Sequence, residues 1–294
     1  MTPTILADNR FTDGTITATG VTDDSRLYII DGRPYTWLQF PSAGTKHIVV
    51  DCGSVKQANA LGVIGHNFAS AAASISLSGS NDGSSWTTYV GPVVPTSDKA
   101  LLRTFTQASA RYWRLTINSP TVAPMVAVVM VGSRIDFPYP PDAGFVPFSE
   151  TVEVDSNDSK TGNPLGVVVR FFPVAIKPNF SNIDREWIET IYRPFRENYS
   201  RFRKYFFWSW DLETYPDQVF YVQDIGTYAP DVSTLAFYNK LALDFKGVME
   251  NPTVTVAALP PTTTTTPAPG TTTTTTAAPN IAPTSTIVIS NVQE

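Results

Sequence analysis

Apolar residues in the first part of the chain come in short runs rich in Val, Ile, Thr and aromatics, separated by clusters of Gly, Asp, Asn and Ser. That spacing predicts an all-β sandwich or barrel. Ile75-Ser76-Leu77-Ser78 alternates with period two and aims Ile75 and Leu77 at one face of a strand. Asn81-Asp82-Gly83 follows at once, residues that tolerate positive φ, so residues 86–90 read as the returning strand of a hairpin. Residues 111–117 alternate again, with Tyr112, Arg114 and Thr116 on one face and Trp113, Leu115 and Ile117 on the other. Residues 125–131 form an unbroken apolar run, the pattern of a strand buried on both sides.

Pro138, Pro140, Pro141 and Pro147 then interrupt any ladder or helix, which ends a first domain at 136 and makes 137–147 a linker. A second zone, 148–252, opens with strands at 151–154 and 166–172 and holds one convincing helix, 182–199. Ser181-Asn182-Ile183-Asp184 fits a capping box with Asp in place of Glu or Gln. Trp187, Ile188, Ile191 and Phe195 recur at helical spacing and would pack on a sheet. Arg185, Glu189 and Arg196 then lie on the opposite face as candidates for a subunit contact, and Pro194 must kink the helix. Strands resume at 205–210, 218–223 and 235–245. The last carries Leu235, Phe237, Leu241, Leu243 and Phe245 on one face. The third zone, 253–294, is a Thr/Pro-rich tract that cannot bury enough apolar area to offset its ordering entropy. It reads as an extended arm, and the strand-former Ile287, Val288 and Ile289 near its end is a candidate for docking on a neighbour's sheet edge.

Composition narrows the functional classes. Only 16% of the 294 residues are charged, below the ~25% of ordinary domains. The surface must therefore lean on Ser, Thr, Asn and Gly and on other chains. A net charge of −5 argues against specific nucleic-acid binding. The one cysteine, Cys52, excludes an internal disulfide, and no Cys/His spacing suggests zinc. His47 and His66 are the only histidines, which leaves few candidates for His-dependent catalysis. The first ten residues lack a basic start and an apolar run, so no signal peptide is expected. Residues 122–131 are too few to span a bilayer.

Four segments, in order, resemble the F5/8 type C (discoidin-like, galactose-binding-like) domain. Asp31-Gly32 with Thr36-Trp37 is similar to its D-G…T-x-W element. Ile48-Val49-Val50-Asp51-Cys52-Gly53 is similar to its hydrophobic-D-L-G strand, with Cys52 in the Leu place. Ser80-Asn81-Asp82-Gly83-Ser84-Ser85-Trp86 resembles S-x-D-G-x-x-W, and Ala110-Arg111-Tyr112-Trp113-Arg114-Leu115 resembles A-R-Y-x-R-L. The resemblance implies a jelly-roll β-sandwich over 1–136, with Trp37, Trp86 and Trp113 as core anchors. The family's frequent terminal disulfide is missing, which favours a member made inside the cell. The stretch from Leu61 to Phe68 resembles the version of this domain in tailed-phage structural proteins. The second zone, with its helix, Tyr205-Phe206-Phe207-Trp208-Ser209-Trp210 and final strand, resembles phage distal-tail and minor tail-tip proteins, a β-barrel or sandwich with one flanking helix.

That resemblance implies a virion protein of the tail or baseplate, made in the host cytoplasm. It would form a homo-oligomeric ring with other tail proteins, and its sandwich would brace neighbours or touch a host-surface glycan. A stand-alone lectin-like receptor-binding module, or an accessory module of a glycosidase, remains open beside it. No cofactor is expected. Asp31 and Thr36 are candidates for a structural Ca²⁺, which takes six to eight oxygen ligands. Asp211, Glu213 and Asp217 form a carboxylate cluster of the kind glycoside hydrolysis uses. Their place beside Pro216 fits an ordinary turn better, so no catalytic residue is assigned and no enzyme is expected. Arg193, Arg196, Arg201, Arg203 and Lys204 interleave with Glu186, Glu189 and Glu197, the pattern of a solvated face or a salt-bridge seam.

Overall fold

The computed structural model describes residues 2–118, 120–158, 160–161, 164–229, 231–232 and 237–248. The terminal arm, with Ile287, Val288 and Ile289, lies outside the described residues. One compact unit holds Met1–Thr151 and Phe172–Asn251; another begins with Val152–Phe171. In the latter, Glu153–Asp158 and Pro164–Phe171 pair as an antiparallel ribbon.

The larger unit contains a jelly-roll sandwich. Thr15–Ala18, Lys46–Ile64, Leu101–Asn118, Ser74–Ser80 and Thr87–Val93 are neighbours in that order in one antiparallel sheet. The alternation read from the sequence is the one observed. Trp113, Leu115 and Ile117 are fully buried with Ile48, Val50, Ile75 and Leu77 in the sandwich core. Thr116, Arg114 and Tyr112 stand on the outer face opposite His47, Val49 and Asp51. The hairpin turn forms as expected: Asp82 Oδ1 accepts the amides of Ser84 and Ser85, each at 2.8 Å, and Gly83 takes φ +74°. Lys46–Ile64 bends where its register with Leu101–Asn118 shifts between Asp51 and Lys56, beside Gly53 at φ +70°. Its second half then pairs with Val128–Gly132. The apolar run at 125–131 is therefore two strands. Met125–Val126 pairs with Leu38–Gln39 and Val128–Gly132 with the bent strand, and Ala127 donates to Gly65 O at the crossing.

A second, seven-stranded sheet runs Arg134–Asp136, Thr4–Leu6, Phe206–Ser209, Val219–Asp224, Phe245–Val248, Val174–Ile176 and Ser149–Glu150. Its second strand comes from the chain start, with Ile5 opposite Trp208. The boundary expected at 136 thus does not separate two bodies. Leu6, Ala60, Ile64, Leu102, Val128 and Met130 share one apolar cluster with Phe207, Val219 and Tyr221. Residues 137–147 also pack rather than link: Phe137 is buried in the second core and Phe145 lies against it. The strand expected at 235–245 is divided between sheets. Phe237–Ala242 pairs with Asn179–Asp184 while Phe245–Val248 joins the large sheet, because the Leu243 amide donates to Pro178 O and leaves the ladder.

The helix spans Arg185–Trp187, a π-helical turn Ile188–Tyr192, and Arg193–Asn198. Pro194 explains the π-turn. Its ring would strike the carbonyl four residues back, and the widened turn, closed by Arg193 N–H to Ile188 O, makes room. The extra residue shifts the apolar stripe, so Tyr192 is buried beside Ile188 and Phe195 while Ile191 is 42% exposed. The cap is Asp184 itself, accepting Glu186 N at 2.6 Å. Ser181 is instead in a strand and donates its hydroxyl to Asp142 at 2.7 Å. No helix among the described residues is long and apolar enough to cross a membrane.

Candidate functional site

The most exposed aromatic surface of the sandwich is a looped excursion between Asp23 and Trp37. Asp23 caps its 3₁₀ helix, Asp24–Ile30, by accepting Ser25 N at 3.0 Å. Asp31 then braces the return. Its Oδ1 accepts Arg33 N at 2.7 Å, and its Oδ2 accepts the Thr36 hydroxyl at 2.6 Å. Gly32 sits at φ +77°, and its carbonyl accepts the buried Tyr221 hydroxyl at 3.1 Å. Burial raises the Tyr221 pKa, so this phenol stays a proton donor. On this hydrogen-bonded frame Tyr35 is 59% and Tyr28 43% exposed, with Leu27, Asp31 and Arg33 also at the surface.

Asp31 and Thr36 are thus brought together as expected, and they bond to each other. One carboxylate and one hydroxyl fall short of the ligand set calcium requires. Among the described residues no three His, Cys, Asp or Glu gather to hold a metal. The pair fits a loop clamp better than an ion site.

The tryptophans divide. Trp113 is a core residue and Trp37 packs against the shared cluster. Trp86 does not reach the core. It lies half-buried on the polar outer face with the Arg114 guanidinium 4.0 Å from its ring centre. Around it, His47 Nδ1 and Thr116 Oγ1 are 3.1 Å apart, and Ser78 and Thr88 hydroxyls 3.2 Å. Burial and the nearby Arg114 charge lower the His47 pKa, so this face carries a neutral imidazole. Arg111 grips Asp51 with two bonds of 2.7 Å, which hold the Asp51 carboxyl at a pKa of about 2.

His66 is buried and stacked on Phe68 at 4.4 Å, with Nδ1 accepting the Phe68 amide. Asn67 bridges two loops, donating to Ala123 O and accepting from Met125 N. The His66-Asn67 pair therefore stabilises loops and presents no ring to a ligand. Cys52 is buried, and burial pushes its thiol up to about 11, out of reach of nucleophile chemistry at neutral pH.

The helix residues offered as a subunit face have partners within the chain. Glu189 accepts the Tyr238 hydroxyl at 2.8 Å and pairs with Arg193. Arg196 stacks on Tyr228 at 4.1 Å, and Arg185 is engaged as well. Of the three carboxylates near Pro216, Asp211 is buried and its Oδ1 accepts the Thr214 amide at 3.3 Å. Glu213 and Asp217 are exposed. The sequence pattern singles out Trp37, Trp86 and Trp113, and as core anchors; Tyr28 and Tyr35 are not among the aromatics it marks. The available signal was two aromatics inside a polar, Gly- and Pro-containing segment, where rings have no strand face to bury.

Residues 15–129 match the F5/8 type C domain. The jelly-roll, galactose-binding-like sandwich is the fold expected from the sequence. Similar solved structures include chitosan-binding module 1 of a chitosanase/glucanase from Paenibacillus sp. IK-5, at 22% identity over 42% of this chain and 98% of that one, with a TM-score of 0.37. Another is CpGH89CBM32-5 from Clostridium perfringens in complex with GalNAc-β-1,3-galactose, at 15% identity over 43% and 99%, TM-score 0.37. A third is the CBM32 of AlyQ in complex with 4,5-unsaturated mannuronic acid, at 25% identity over 40% and 92%, TM-score 0.34. Among curated proteins, none matches the chain.

Proposed function

We propose that the chain is a non-enzymatic glycan-binding protein that meets sugars with the excursion from Asp23 to Trp37. The carrying observation is the exposure of Tyr28 and Tyr35 beside Arg33 on a loop that the Asp31 hydrogen bonds to Arg33 and Thr36 brace. The apolar C–H face of a pyranose packs on an aromatic ring, while carboxylate and guanidinium groups bond its hydroxyls. Such bracing lowers the ordering cost of binding. The reading is of binding rather than hydrolysis: Asp211 is buried and accepts the Thr214 amide, as a carboxylate that stabilises a turn does.

The test is a glycan array with the full chain, followed by calorimetry on any hit. Tyr35→Ala and Tyr28→Ala should each weaken binding without moving Tm. Unchanged binding in both variants overturns the site, and turnover of the glycan overturns the non-enzymatic reading.

A second proposal places this glycan contact on a phage tail tip. It is supported by the succession in 148–252 of short strands, one helix and the aromatic strands Phe206–Ser209 and Val219–Asp224. In that setting the protein is made in the host cytoplasm and assembles as a ring with other tail proteins, and the terminal arm docks on a neighbour. Ring-shaped oligomers by electron microscopy are expected. A chain truncated after Ala257 should keep its Tm and enter particles poorly. A strictly monomeric protein that never joins particles removes this reading and leaves the glycan site standing.

A further inference from the structure

A cleft of about 500 Å³ opens between the two sheets of the larger unit, in the size range of small-ligand pockets. Its polar lining mixes signs. Arg134 is neutralised on the spot, its Nε 2.8 Å from Asp136, which also accepts the Thr4 hydroxyl at 2.7 Å. Arg103 is different. It is half-buried, and its one side-chain hydrogen bond among the described residues goes from Nη1 to the Leu102 carbonyl, at 2.9 Å. Burial lowers its pKa, with Asp217 the charge that opposes the shift. A guanidinium carries five donors, and the other four have no hydrogen-bond acceptor among the described residues.

Across the cleft, Glu213 offers an exposed carboxylate, and Leu212 and Pro216 add apolar surface. We propose that this cleft binds a neutral, polyhydroxylated ligand, a sugar ring. Arg103 would donate to one hydroxyl, Glu213 would accept from another, and the C–H face would rest on Leu212 and Pro216.

The charge pattern selects this chemistry. A free anion drawn to Arg103 would meet Glu213 and Asp211, and a free cation drawn to Glu213 would meet Arg103. Vicinal hydroxyls both donate and accept, so they satisfy both sides without importing charge. The site is separate from the Tyr28–Tyr35 surface and uses none of its residues.

The experiment titrates the full chain, labelled at Leu methyls and Arg Nε, with methyl β-galactoside, methyl β-glucoside, N-acetylglucosamine and their β-linked disaccharides. Glucuronate and glucosamine serve as charged controls. Saturable NMR shifts at Leu212 and at the Arg103 Nε–H are expected with at least one neutral sugar. Arg103→Lys and Glu213→Gln should each weaken that binding by about tenfold or more, the loss of roughly one charge-assisted hydrogen bond. Should Arg103→Lys lower Tm, the surface variant Glu213→Gln carries the comparison. Tyr35→Ala should leave these shifts in place, so failure here and failure of the loop site are told apart. No saturable shift with any neutral sugar, or saturation by the charged sugars alone, overturns the proposal.

Discussion

His66 is held as a neutral ring. Burial depresses its pKa from 6.5 to about 4, and Asp98 at 3.9 Å opposes that only in part. The unfolded chain takes up this proton near pH 6.5 while the folded chain refuses it until about 4. Stability is therefore full above pH 6.5, falls as the pH drops through this window, and levels off below it. The loss by pH 4 is on the order of 3 kcal/mol. His47, lowered in the same direction by burial, adds to the slope. Asp51, with its pKa of about 2, contributes stability that is lost only at lower pH. Urea denaturation at pH 7 and pH 4.5 should show the drop. His66→Gln, which keeps an acceptor for the Phe68 amide, should flatten it, and an unchanged slope in that variant would assign the effect elsewhere. At this scale the sequence was legible where alternation decides burial, as at Trp113. It was opaque at Trp86, whose place in a strand-start motif does not show that Arg114 would cover it on the outer face.

Among the elements, the helix shows what pattern reading can and cannot reach. Apolar spacing located it to within a few residues. The face it buries turns on one added residue, which Pro194 imposes through the π-turn. The stripe read as Trp187, Ile188, Ile191 and Phe195 becomes one in which Tyr192 fills the core and Ile191 faces out. The two readings give opposite outcomes for a pair of variants. Tyr192→Ala should cost about 3 kcal/mol or more, as for a large aromatic removed from a packed core. Ile191→Ala should stay within about 0.5 kcal/mol. Chemical denaturation of both variants decides it, and a larger loss at Ile191 would return the helix to regular α geometry. The divided strand at 237–248 has a similar origin. Its apolar residues were visible, but the departure of the Leu243 amide to Pro178 is a tertiary event that periodicity does not encode.

For the whole molecule, the Pro-rich segment at 137–147 reads as a linker between domains because proline ends ladders. What the sequence could not show is that the chain start returns to the far half, with Thr4–Leu6 lying between Arg134–Asp136 and Phe206–Ser209. Strand pairing across so long a separation leaves no local trace. Its energetic consequence is the apolar cluster that joins Ile64, Leu102 and Val128 of the sandwich to Phe207 and Tyr221 of the second sheet. Gly62 probes that seam. A Cβ built there would lie 2.5 Å from the Phe207 ring, closer than packed atoms allow. Gly62 keeps an ordinary extended backbone in its strand, so alanine would otherwise be neutral or stabilising there, through its lower unfolded-state entropy. Gly62→Ala should instead destabilise by about 1–3 kcal/mol, the cost of overpacking a filled core. On a Phe207→Leu background much of that cost should vanish, because the two changes share one contact. Both proteins should unfold in a single transition reported equally by Trp113 in the sandwich and Trp208 in the second sheet. Two separated transitions, with Gly62→Ala neutral, would mean that the halves fold independently and meet only loosely.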